Sequence, residues 1–143
     1  MSLPSREDIN VHDNLDERSA CQHFLGKNLR DAEDLIRQNA FYYQEDLLFM
    51  GVTAFRFYVP ALINYIQSDA AEGDSDIVNC FAMILEFRLE RESNDLRPIA
   101  TTLAEAFRYL LDNYDRFEVS EEIYGDLKSR FIELQRNLMV LNA

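Results

Sequence analysis

Apolar residues recur along this chain three and four positions apart, the spacing of helices with one buried face. From Asn14 onward that period holds. Leu15, Cys21, Phe24 and Leu25 predict a short helix ended by Gly26. Asn28 is placed to cap a second helix whose apolar face is Leu29, Ala32, Leu35 and Ile36. Its early turns carry Asp31, Glu33 and Asp34, where carboxylates suit the helix dipole. The segment FYYQEDLLFMG reads as a short helix or turn stopped at Gly51. AFRFYVPALINYI, residues 54–66, is apolar around most of its circumference, which predicts a central element. Either a helix begins near Pro60, or one helix from about Thr53 kinks there; the kinked helix is the expectation.

Residues 68–76, SDAAEGDSD, are small and acidic and predict a linker, with Asp74 or Ser75 capping the next helix. That helix, 76–91, begins apolar nearly all round and turns charged at RLERES, predicting a buried first half and a solvated second half. Asp95 and Pro98 signal a further start, followed by a stripe of Ile99, Leu103, Phe107, Leu110, Leu111, Tyr114 and Phe117. Ser120 is expected to cap the last helix, striped by Ile123, Leu127, Phe131, Leu134, Leu138 and Leu141. Five of those follow heptad spacing over little more than two heptads, which suits a packed helix first and a dimer seam second. No strand pattern emerges. The expectation is an all-α fold, a bundle of five or six helices in one domain over 14–143, behind a flexible polar tail at 1–13.

Size and charge narrow the function classes. The chain has 143 residues, room for one domain with its own core. It carries 26 acidic and 14 basic residues, a net charge of −12. Such a chain repels nucleic-acid backbones and anionic membrane surfaces. Its longest run without charge, Phe57 to Ser68, is too short to cross a bilayer. Only Lys27 and Lys128 are lysines; the remaining basic residues are arginines, suited to forked pairing with carboxylates. Cys21 and Cys80 sit in no motif, and no secretory signal pattern precedes them, so a reduced, cytoplasmic setting is expected.

The search for chemistry is mostly negative. Neither His12 nor His23 belongs to a His-Glu-x-x-His or Glu-x-x-His motif, and Cys21-x-His23 lacks a second pair to close a metal site. A calcium loop with Gly73 at its sixth position would need ligands at Ser68, Ala70 and Asn79, and fails. There is no nucleophile elbow and no phosphate-cradling glycine loop. No metal and no cofactor are expected. Arg56, among aromatics, is read first as a structural ion pair with Glu45, Asp46 or Glu86. The alternative is a ligand pocket formed by Arg56 and Tyr58 with Tyr42 and Tyr43.

FMGVTAFRFYVPALI, residues 49–63, resembles the recurring core of a family of small bacterial helical proteins with no assigned activity, and LAEAFRYLLDNY at 103–114 is similar to a second element of it. The resemblance implies a helical fold and no catalytic residues. Charge and missing motifs together predict a non-enzymatic domain that acts by contact with a basic protein, inhibitor- or immunity-like, present as a monomer or as a homodimer through the C-terminal helix. The competing expectation is a small-ligand binder or enzyme at the Arg56 pocket.

Overall fold

The computed structural model describes residues 2–142; its regular structure is all helical, with no strand among the described residues. Nine α-helical segments follow in order: α1 (Arg6–Ile9), α2 (Leu15–Phe24), α3 (Leu29–Gln38), α4 (Ala40–Phe49), α5 (Val52–Gln67), α6 (Ser75–Leu96), α7 (Ala100–Asp112), α8 (Glu121–Tyr124) and α9 (Leu127–Asn142). Short 3-10 turns lie at Asp69–Ala71, Arg97–Ile99 and Tyr114–Phe117. The chain groups into two compact units, one ending at Tyr65 and one beginning at Ile66.

In the first unit, asparagines cap the starts of α2, α3 and α4. The Glu17, Asp31 and Tyr42 backbone N–H groups donate to the side chains of Asn14, Asn28 and Asn39, satisfying donors that a helix start leaves open. Residues 2–13 hold more structure than a tail. Ser5 and Asp8 form a reciprocal capping box, α1 follows, and Ile9 is fully buried. Gly51 explains how this turn docks: its N–H donates to the Ile9 carbonyl at 3.0 Å, and a Cβ there would collide with the Asp8 backbone oxygen and lie 2.5 Å from Val11 Cγ2.

α5 runs as one helix through Pro60, so the helix does not begin there. Proline removes one backbone donor, and dense burial offsets this: Phe55, Tyr58, Val59, Ala61 and Leu62 are all fully buried. The Tyr58 hydroxyl lies 2.8 Å from two carbonyl oxygens, those of Phe24 and Lys27, where α2 ends. Burial pushes the pKa of this hydroxyl up to about 12, so it stays protonated and remains a donor.

In the second unit, α9 packs on α7 and α6. Phe81 stacks on Phe107 with centroids 4.8 Å apart, and Phe131 adds a tilted ring at 5.7 Å. Leu127, Phe131, Leu134 and Leu138 are buried, so the heptad-like stripe is spent on the chain's own core. Ile123 leaves that stripe and is 74% exposed. The cause is Gly125, at φ 71°, which ends α8 and lets Asp126 cap a separate helix through the Ser129 N–H. Breaks of this kind account for the excess over five or six helices. α6 likewise loses helical geometry at Glu92, and Arg88, expected on a solvated half, is buried and pairs with the Glu92 carboxylate at 2.5 Å. The 68–76 linker is pinned: the Arg116 guanidinium donates to the Ile66 and Ser68 carbonyls and to the Tyr109 hydroxyl, and the Gly73 N–H donates to the Arg116 carbonyl.

Two substitutions test this account. Tyr58→Phe is expected to destabilise the chain by about 1–3 kcal/mol, since it removes the donor from two carbonyls. Urea denaturation reads it; an unchanged midpoint would mean the carbonyls find other donors. Gly51→Ala is expected to cost about 1–3 kcal/mol by overpacking. It should also speed hydrogen exchange at Ile9 and Asn10, and exchange left at the wild-type rate would show that α1 does not depend on the close approach.

Candidate functional site

Helices α2 and α4 pack together in the first unit, and each brings one polar face to the contact. On α2, Ser19 and His23 lie one turn apart and so share a side. On α4, Asp46 points inward and is 6% exposed, while its neighbour Glu45 is exposed. His23 Nδ1 sits 2.6 Å from one Asp46 carboxylate oxygen. Ser19 donates to the other at 3.4 Å, the weak end of hydrogen-bonding range. Burial raises the Asp46 carboxyl above the usual aspartate range, against the His23 and Ser19 hydrogen bonds that favour its ionised form.

An ionised carboxylate only accepts, so His23 carries its proton on Nδ1 and keeps Nε2 as its second polar atom. Tyr42 and Tyr43 frame the ring edge-on, at centroid distances of 5.5 and 5.1 Å, and touch each other at 4.9 Å. Asp46 thus orients an imidazole, as in a general-base pair. Ser19 serves the carboxylate rather than the imidazole, so the order of groups is not that of a nucleophilic triad.

Outside this pair, a small cleft of about 90 Å³ is lined by Asp16, Ser19, Tyr42, Glu45, Asp46 and Phe49. Three carboxylates and two aromatic rings line it, with no cationic side chain among them. Tyr42 is 54% exposed and its neighbour Phe41 62%.

The residues expected to form one pocket are divided. Tyr42 and Tyr43 meet at His23. Tyr58 is fully buried, and its hydroxyl is used where α2 ends, so it does not offer that group to a ligand. Arg56 is partly buried on α5. Of its expected partners, Asp46 is engaged by His23, and Glu86 takes a two-pronged bond from Arg130 at 2.6 and 3.0 Å. Cys21 and His23, two apart on α2, point to different sides: the Cys21 thiol faces the Arg6 carbonyl while His23 faces Asp46. Among the described residues, no group of three metal-ligating side chains converges. No helix among them is long and apolar enough to cross a membrane. His23 and Asp46 escape a sequence search because they are 23 positions apart; the only local sign is the Ser19–His23 spacing on a helix whose other side is apolar.

The second unit holds two wider grooves. One, of about 350 Å³, runs beside the Glu86–Arg130 fork; the other, of about 250 Å³, lies between α7 and α9 near Arg108 and Met139. Arg130 is already committed there to Glu86 and to the Asn79 side-chain oxygen, which makes the fork a structural clamp.

No protein-family model matches the chain, and no curated protein or solved structure matches it either.

Asp46 provides a pH test with a definite sign. Its proton is held more tightly in the folded state than in the unfolded chain, where aspartate titrates near about 3.9. Its contribution is therefore fully present below that value and is lost as pH rises through the raised one. Urea midpoints of the wild type and Asp46→Asn, compared between about pH 3.5 and 6, are expected to show wild-type stability falling relative to the variant as pH rises, then levelling. A difference that grew with pH would mean the His23 bond outweighs burial.

Proposed function

We propose that this chain is a non-enzymatic acidic interaction domain, and that its α2–α4 face receives a basic segment of a partner protein. One observation carries the reading: Tyr42, more than half exposed, stands in a cleft with three carboxylates and no lining cation. Exposed tyrosines are common anchors of protein interfaces, because they offer a large, stiff, amphipathic surface at small entropic cost. Surrounding carboxylates steer and select a partner of opposite charge. Phe41 and Leu15, 62% and 79% exposed on the same two helices, are further apolar surface open to a partner. The net charge of −12 supports the same choice of partner.

The test is capture from host lysate on immobilised wild type, Tyr42→Ala and Glu45→Arg, at low and moderate salt. A basic protein is expected on the wild type, decreasing as salt rises and reduced about tenfold or more by either substitution. Equal retention by all three proteins would remove the α2–α4 face as the docking surface.

A further inference from the structure

Resting on that reading, we propose that the cleft between α2 and α4 seats one lysine ammonium of the partner. Its size is the first argument. At about 90 Å³ it holds roughly three water molecules at about 30 Å³ each. That suits an ammonium with its last methylene, and is well below the roughly 300–1,000 Å³ of sites that enclose small organic ligands.

Its walls are the second argument. Tyr42 and Phe49 supply aromatic rings and Asp16 and Glu45 supply exposed carboxylates, the two kinds of group that attract an organic cation. Asp46 adds a third carboxylate that is nine-tenths buried. One of its oxygens takes the short His23 contact, while the other has only the 3.4 Å hydroxyl of Ser19. A carboxylate has about four acceptor sites, so this buried group retains capacity for a further donor.

The disposition of the acids selects ammonium over guanidinium. Asp16 belongs to α2, and Glu45 and Asp46 to α4, so the carboxylates that line the cleft come from two helices. An ammonium is a compact charge with three donors that diverge. A guanidinium favours one carboxylate met by two parallel bonds, as Arg130 meets Glu86 in this chain. Asp46 cannot be gripped in that way while His23 holds one of its oxygens.

The experiment is an amide NMR titration of the whole chain with tetralysine, tetra-arginine and tetra(acetyl-lysine), at about 150 mM salt to screen diffuse attraction. Tetralysine is expected to shift Ser19, Tyr42, Glu45 and Phe49 in a saturable manner, at least about fivefold more tightly than the other two peptides. Asp16→Asn and Glu45→Gln, both at exposed positions, should each weaken it about fivefold to tenfold with unchanged thermal midpoints, and Tyr42→Ala should weaken it by a similar factor. Equal binding of tetra-arginine or of the acetylated peptide in the cleft overturns the ammonium assignment. Saturable shifts confined to residues outside the cleft overturn the cleft while leaving a basic partner standing. No shift with any peptide overturns both the cleft and the basic-partner reading.

Discussion

Burying the Asp46 carboxylate constrains the rest of the first unit. A charge withdrawn from water is tolerated only where donors replace its hydration. Here those donors are His23 and Ser19, both on α2, so satisfying Asp46 requires α2 and α4 to meet in one register. With that register set, Tyr42 and Tyr43 close on the imidazole, and Asp16, Glu45 and Phe49 come to rim one cleft. Glu17 repeats the device nearby. It is 3% exposed and accepts from both the His12 backbone N–H and the His12 ring, at 2.6 and 2.8 Å. Both histidines of the chain thus act as partners of buried carboxylates, the role that explains them without a metal or a nucleophile.

The same need to satisfy buried polar groups operates where helices end. Tyr58 serves carbonyls where α2 finishes, and Arg116 serves those where α5 finishes. Each is a long side chain that crosses a gap the backbone cannot close, since the last carbonyls of a helix have no donor of their own. An aromatic-flanked tyrosine and an arginine in an acidic turn look like ligand-binding groups in a sequence, yet both hold helix ends.

How much of this was legible follows from the range of each interaction. The all-helical class, the caps at Asn28 and Asp74, and the buried stripe of Leu127, Phe131, Leu134 and Leu138 depend on neighbours within a turn or two, and the period displays them. Helix continuity was less legible. Pro60 lies inside a helix that continues through it, while Gly125, one residue in an otherwise helical period, ends a helix through a positive φ. The candidate site was least legible. Tyr42 and Tyr43 were in view, but His23 is tied to Asp46 by a contact between helices, and a single sequence contains no periodicity that marks such a pair.

The surplus of acid acquires direction once the cations engaged within the chain are set aside. Arg18 and Arg37 pair with Asp13 and Glu33 in the first unit; Arg88 and Arg130 pair with Glu92 and Glu86 in the second. Arg91 and Lys128 lie over the rings of Phe87 and Tyr114, and Arg116 is spent on carbonyls. Cations held in this way neutralise their own surroundings and leave other carboxylates to set the field outside. Around Tyr42 the lining contains Asp16 and Glu45, both exposed, and no cation. Net charge alone would be served as well by an even scatter of acids, which keeps a protein soluble without selecting a partner. Carboxylates grouped at an exposed aromatic do something an even scatter does not: they put a long-range field and an apolar surface at one address, the arrangement on which the proposed cationic partner rests.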